Sequence, residues 1–336
     1  MLTSGESAST ADAASLPTYA ELLERHDGQP PGSSWGVFGP DDHLGTLNLL
    51  GPEQARAAVG LVRRGKVFNL DYEVNAFTPS VSPNRQSAKH TMFSRHDGCV
   101  RDDRLDEYYL QVSSQIDGLR HHRHPLHGFY GGVNDDAVAV SSPALGIQHA
   151  AAKGIVGRGV LLDVARHLTA IGRPLDLRSA EAIDTKTLDD VAAAQNVELQ
   201  PGDILLIHTG WAWHAIEELT TEEKSALSTS RQFCGLRQSS ETLAWIWDHH
   251  FSMVASDTVA VEVMPSDPDS PFHGNVGRMM HPDLIALLGI HLGELWQLHD
   301  LAQDCATDGT YEFLLTAKPL NLLGGVGSPP NALAIK

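Results

Sequence analysis

Residues 109–132 read Tyr109-Leu-Gln-Val-Ser-Ser-Gln-Ile-Asp-Gly-Leu-Arg-His-His-Arg-His-Pro-Leu-His-Gly-Phe-Tyr-Gly-Gly132, and the rest of the chain is read outward from them. The stretch begins with strand-like alternation. Leu110, Val112 and Ser114 would share one face, and Gln111, Ser113, Gln115 and Asp117 the other. Gly118 breaks the pattern, and His121, His122, His124 and His127 follow in a segment with Pro125. A histidine-rich loop is by itself most often a solvated loop. What favours a site is that Gln111, Gln115 and Asp117 converge on one face just before the chain turns to His121. Histidine can move a proton near neutral pH or bind a metal, and Asp117 can ligate a metal or orient a histidine.

The whole chain sets bounds on that site. Its 336 residues suffice for one large domain or two ordinary ones, and 42% hydrophobic with 20% charged residues is an ordinary soluble composition. Lys+Arg 24 against Asp+Glu 42 gives a net charge of -18. Nucleic acid and anionic membrane surfaces are therefore excluded as main partners, whereas a small anionic substrate is not. Cys99, Cys234 and Cys305 lie far apart, with neither a disulfide framework nor zinc-finger spacing, so a reducing cytoplasm is the expected setting. No stretch reads as a signal peptide or a bilayer span. Residues 1–16, rich in Ser, Ala, Thr and Asp, are expected to form a loose tail ahead of one α/β domain over 17–336.

Taken in order, the periodicity predicts helices over 17–26, 52–64, 143–153, 184–195, 220–229, 239–249, 281–288 and 298–305. Strands are predicted over 67–72, 159–164, 204–209, 251–256 and 311–317, with a short apolar segment at 292–295. Residues 75–95 lack periodicity and read as a long loop; 264–272 read as a Pro/Asp loop. Thr185 or Thr187 is expected to cap the helix over 184–195. The tail 320–334 mixes Gly, Pro and Asn with Leu322, Leu323, Val326 and Leu333, and is expected to pack against the body.

Several chemistries are absent. There is no Walker loop, no Rossmann fingerprint and no Gly-x-Ser-x-Gly elbow. Gly154-Ile-Val-Gly-Arg-Gly159 precedes a strand and reads as a tight turn into Val160. A second cluster of candidates comprises Asp257, Glu262, His273, His281, His291 and Glu294. Taken singly, Asp257 reads as a strand-end cap, His281 as a helix-start residue, Glu294 as a surface charge, and His291 and His299 as surface residues.

Gln111-Val-Ser-Ser-Gln-Ile-Asp-Gly-Leu-Arg-His121 resembles the signature of the cyclase family, which includes bacterial kynurenine formamidase and isatin hydrolase. The resemblance extends through the Gly-Arg-Gly-Val-Leu-Leu-Asp run ending at Asp163, Pro201-Gly-Asp-Ile-Leu-Leu before Thr209-Gly210, Asp257-Thr258, and His281 with Glu294. It is nearest to a longer branch carrying Ser-Ser-Gln-x-Asp-Gly-Leu-Arg-His and ending in Pro-Leu-Asn-x-x-Gly-Gly-Val-Gly-Ser-Pro. It implies a mixed, barrel-like sheet flanked by helices in a homo-oligomer.

For the site, the resemblance implies that Asp117, His281 and Glu294 hold a metal and that His121 shuttles a proton. Gln111 and Gln115 stand where better-known members place metal-ligating histidines. A glutamine oxygen is a weaker, harder ligand than imidazole, so one divalent ion, Mn²⁺ or Zn²⁺, is expected rather than two. His124 and His127 are the nearest residues to replace a lost ligand. Arg120 or Arg123 would hold a substrate carboxylate or stand as solvated loop charges. The expected activity is metal-dependent hydrolysis of an amide or lactone in a small cyclic or aromatic molecule. Two rivals stay open: a metal-free lyase, isomerase or cyclase using a His121–Asp117 pair, and a small-molecule binder without catalysis.

Overall fold

The structure is a computed structural model that describes residues 16–272 and 279–336. His273, and all but Leu16 of the expected tail, lie outside the described residues. The strands are β1 (Val67–Asn69), β2 (Lys89–Arg95), β3 (Val100–Asp106), β4 (Gln115–Asp117), β5 (Ile155–Asp163), β6 (Ala182–Ile183) and β7 (Ile204–His208). After them come β8 (Gly235–Leu236), β9 (Met253–Ser256), β10 (His291–Glu294), β11 (Glu312–Ala317), β12 (Gly327–Ser328) and β13 (Ala332–Ile335).

Nine strands form one sheet in the order β1-β13-β11-β5-β7-β9-β10-β4-β12. Its centre, β5-β7-β9-β10, is parallel, and both flanks are antiparallel. The central strands read as unbroken apolar runs because both of their faces are buried. Leu162, Leu205, Ile207 and Val254 pack in one core with Leu188, Val191, Leu243 and Ile246 of the helices Thr185–Gln195 and Ser240–Asp248. Their neighbours Leu161, Ile204, Leu206, Met253 and Ala255 pack in a second core with Phe68, Ile116, Phe313, Ala334 and Leu301. Each fully buried aliphatic side chain of this kind contributes about 1.5–3 kcal/mol.

Chain geometry requires the sheet to curl. β12 and β13 are separated only by residues 329–331, yet they occupy the ninth and second places in the strand order. In a flat sheet the seven intervening spacings would set them about 34 Å apart. The four residue steps from Ser328 to Ala332 reach about 14 Å at most. Only a sheet rolled toward closure brings its two flanks within that span, and the second core fills the roll.

Helix starts follow local chemistry. Thr18 and Glu21 form a capping box at Tyr19–Leu23, and Thr220 and Glu223 form one at Thr221–Ser230. Asp184, rather than Thr185 or Thr187, caps Thr185–Gln195 by accepting the Thr187 N–H at 2.9 Å. The helix expected over 52–64 stops at Val59, and that expected over 143–153 starts only at Gln148.

Two other elements differ from the sequence expectation, and the C-terminal tail follows it. The loop expected over 75–95 ends in β2, which pairs with β3 as an exposed hairpin from Lys89↔Asp106 to Arg95↔Val100. The hairpin leaves both faces to solvent, so no apolar alternation marks it. The glycines at 157 and 159 belong to β5 rather than to a turn. A Cβ on Gly159 would lie 2.3 Å from the Phe313 ring and one on Gly157 2.7 Å from Leu50, so strand packing needs both positions bare. The tail 320–334 is ordered against the body through β12 and β13. No helix among the described residues is long and apolar enough to cross a membrane.

Candidate active site

Strand register builds half of the site. β4 lies between β10 and β12, with Gln115 opposite Glu294 and Asp117 opposite both Leu292 and Gly327. Paired residues share a face and alternate residues share a face, so Gln115, Asp117 and Glu294 project together. Ile116 points the other way into the second core. The strand is only three residues long. Gln111 therefore reaches the site from a preceding turn, not along the strand face that alternation predicted.

The third group arrives from another element. His281 stands just before the wide helical turn Pro282–Leu287. Glu262, fully buried, accepts the Met280 N–H at 2.6 Å, the His281 N–H at 3.1 Å and the His281 Nδ1–H. That fixes the ring so that Nε2 faces Glu294 Oε1 at 3.0 Å. Asp117, His281 and Glu294 are all buried, and one ligating atom from each lies within 4.8 Å of the others.

His121 borders this cluster. A turn from the Gly118 carbonyl to the His121 N–H, 2.9 Å, brings the ring back over the strand end. Its Nε2 lies 3.4 Å from Asp117 Oδ2, and its Nδ1 accepts from Gln111 Nε2 at 3.0 Å. Burial holds its pKa below the usual histidine range, against the opposing pull of Asp117. His122 packs edge-on against both His121 and His281, with ring centroids 4.6 and 5.1 Å apart. Burial, reinforced by His281 and His121, pushes it down to about 2, so it is a neutral imidazole.

The electrostatics describe a buried excess of negative charge. Burial and the Asp117 carboxylate raise Glu294 above the usual carboxylate range. His281 is held well above its ordinary value: burial opposes this, but Glu262 and Glu294 on its two nitrogens outweigh burial. Among the described residues, Asp117 Oδ2 is buried with no hydrogen-bond partner. Two carboxylates, one imidazole oriented by a third carboxylate, and an orphaned oxygen form a donor set that fits a divalent cation.

The glutamines reach the cluster, but through their N–H groups. Gln111 Nε2 donates to Asp117 Oδ1, and Gln115 Nε2 donates to Glu294 Oε2. They hold the carboxylates in place instead of offering oxygen to an ion. The oxygen of Gln115 is taken by Arg85 Nη1 at 3.2 Å, which also donates to the Gln111 carbonyl at 2.5 Å. Arg85 comes from the loop before β2, is part-buried, and acts electrostatically on His121, His122 and Glu294. Among the described residues its Nε and Nη2 have no acceptor.

The two arginines expected from sequence make other contacts. Arg120 is 4% exposed, and its guanidinium donates to the carbonyls of Ala139, Ser142, Ala144 and Gly324. It ties the loop 139–144 to the tail, with four of its five N–H groups on those carbonyls. Arg123 is exposed and lies 3.6 Å from Asp135. His124 and His127 stack on each other at 4.7 Å in the turn 124–128, outside the Asp117 cluster. His291 is not a surface residue but the buried first position of β10, and burial lowers it to about 4. Asp257 ties strand ends together, accepting from Thr209 N, Thr209 Oγ1 and Gly210 N, each at 2.8 Å.

Sequence reasoning missed Arg85, gave His122 no role and left Glu262 unplaced. Arg85 sits in an aperiodic loop with no local signal. Glu262 had one available signal, an acidic residue inside the apolar run Val259–Val263, which pointed to a buried partner.

Comparison with known proteins agrees with this architecture. The family model named Cyclase matches residues 70–263. A crystal structure described as a novel cyclase is 32% identical with a TM-score of 0.79, covering 90% of this chain and 99% of that one. Isatin hydrolase A from Labrenzia aggregata, bound to benzyl benzoate, is 14% identical with a TM-score of 0.55, covering 82% of this chain and 94% of that one. Isatin hydrolase A from Ralstonia solanacearum is 13% identical, also at a TM-score of 0.55, covering 81% and 92%. None of the curated proteins matches the chain.

Proposed function

The chain belongs to the cyclase family, and from that premise we propose that it is a metal-dependent hydrolase acting on an amide or lactone bond in a small cyclic or aromatic molecule. The observation that carries the reading is the buried Asp117–His281–Glu294 group with His121 at its border. Two carboxylates and one imidazole suit Mn²⁺ or Zn²⁺. A divalent ion bound there would supply charge that polarises the scissile carbonyl and makes water more acidic.

The chain's own residues do the remaining work. Glu262 fixes the His281 tautomer, and Gln111 and Gln115 fix the two carboxylates. His121, beside Asp117, takes the proton of the attacking water on Nδ1, where the Gln111 N–H gives way, and returns it from there to the leaving nitrogen or oxygen. Arg85, with two nitrogens that no described residue accepts from, holds a carboxylate or the carbonyl oxygen of the substrate. The same reading takes a small molecule as partner and a homo-oligomer as the assembly, which light scattering of the purified protein checks.

The test is to dialyse the protein against chelator, assay amides, lactones and esters, and add back Mn²⁺, Zn²⁺ and Mg²⁺ separately. Activity that vanishes and returns with one ion supports the proposal. A second reading, an ion-free lyase or cyclase with a His121–Asp117 pair, is favoured by one observation. Gln111 and Gln115 turn N–H groups, not oxygens, toward Asp117 and Glu294. Full activity of metal-free protein that no ion alters would establish that reading instead.

A further inference from the structure

A second constellation lies three strands away from the cluster, at the carboxyl ends of β5 and β7. Asp163 and His208, the last residues of those strands, are paired in register and line a cleft of about 570 Å³. Parallel α/β sheets place ligands outside the carboxyl ends of their strands. His208 Nδ1 donates to Asp163 Oδ1 at 2.8 Å, which fixes the ring. Its Nε2 is buried without a partner among the described residues, although the residue lines the cleft and is only 5% exposed. His214 repeats the arrangement: Nδ1 on Glu218 at 2.5 Å, Nε2 buried and unpartnered.

The wall beside His208 is flat and aromatic. Trp213 and His299 stack with centroids 4.7 Å apart at 14°, and His299 meets His208 edge-on at 6.1 Å. Leu175 and Leu177 add apolar lining. A buried unpaired polar atom costs about 1–3 kcal/mol, which a ligand atom placed against it recovers. None of these residues belongs to the Asp117 cluster, so the site stands independently of the hydrolase reading.

We propose that this cleft is a second ligand site, binding a small planar aromatic carboxylate with its ring against Trp213 and its carboxylate on His208 Nε2. The preference for an anion follows from how the local acids are used. Asp163 is neutralised by His208 and by Arg166, whose N and Nε donate to it at 3.1 and 3.0 Å. Glu218 serves His214, and Asp257 is occupied by Thr209 and Gly210. The His208–Asp163 pair thus presents its positive pole to the cleft. In keeping with this, His208 is held above its ordinary pKa: burial opposes, and the Asp163 hydrogen bond and the Asp257 field prevail.

The test is calorimetric titration of chelator-dialysed full-length protein and of its Arg85→Ala variant with indole-3-carboxylate; binding in the cleft persists in the variant, whereas binding at the Arg85 centre is lost and would overturn the proposal. Indole-3-carboxamide and cyclohexanecarboxylate serve as uncharged and non-planar controls. Saturable binding of one equivalent per chain is expected. The carboxamide, His208→Asn and Trp213→Leu should each weaken it about tenfold or more. If His208→Asn does not fold, Trp213→Leu together with the ligand-induced shift of the His208 ring resonances decides. No saturable binding to the wild type, equal binding of acid and amide, or affinity unchanged in Trp213→Leu would each overturn the proposal.

Discussion

Glu262→Gln is the substitution on which the ligand geometry bears most directly. The wild-type carboxylate receives three N–H groups on two oxygens: Met280 N on one, His281 N and Nδ1 on the other. Glutamine keeps one oxygen and replaces the other with a donor. Whichever way the amide is turned, at least one N–H faces an N–H in a position with no solvent access. One lost charge-assisted bond and one unsatisfied donor cost about 2–4 kcal/mol of folding stability. The second effect falls on His281, which loses the carboxylate that orients it. Loss of such a supporting partner lowers metal affinity roughly 10–100-fold. Urea unfolding of the metal-free variant reads the first effect, and calorimetric titration with Mn²⁺ or Zn²⁺ reads the second. A folded variant with wild-type ion affinity would refute the claim that Glu262 orients a metal-binding His281.

Three further substitutions extend the tests. His121→Asn should lower turnover by roughly 10²–10⁴-fold with little change in melting temperature, because the side chain lies at the rim of the cluster and is 19% exposed; activity within a few-fold of wild type would remove its proton-transfer role. Arg85→Ala should raise KM for a carboxylate-bearing substrate about 10–100-fold while Arg85→Lys recovers part of the loss, and equal KM in all three proteins would leave Arg85 with no part in binding. Burial raises Asp71 to about 6 from 3.8, so the folded state binds the proton more tightly than the unfolded state. Its contribution is therefore full below the unfolded value and is lost as pH rises toward 6. Asp71→Asn should flatten the fall in stability across that window and gain about 3 kcal/mol at pH 8, and denaturant midpoints at pH 4 and pH 8 check this.

The sequence carried the parallel centre of the fold because β5, β7 and β9 are buried on both faces and leave continuous apolar runs. It carried Asp117 through the strand face shared with Gln111 and Gln115, but joined Asp117 to His281 and Glu294 only through resemblance to a family, since their spacing has no local meaning. Their convergence depends on β4 lying between β10 and β12, a pairing no periodicity encodes. Arginine roles were illegible for a related reason. Arg120 follows the strand and looked available, yet the loop 139–144 folds over it and uses its donors. Arg85 lies in an aperiodic loop, and only the fold sets that loop against Gln111 and Gln115. The hairpin β2–β3 is exposed on both faces, so it carries none of the alternation by which strands are recognised.

The curl of the sheet also bears on when the site can exist. Gly327 is the backbone neighbour of Asp117 on one side, and Leu292 is its neighbour on the other. During synthesis, residue 117 leaves the ribosome long before either of them. Until both have emerged, the strand carrying Asp117 has two open edges and no Glu294 beside it. At about 5–20 residues per second, that interval lasts on the order of ten seconds or more. The nascent chain is then exposed to edge pairing with other chains, and an ion that met it early would find none of its partners.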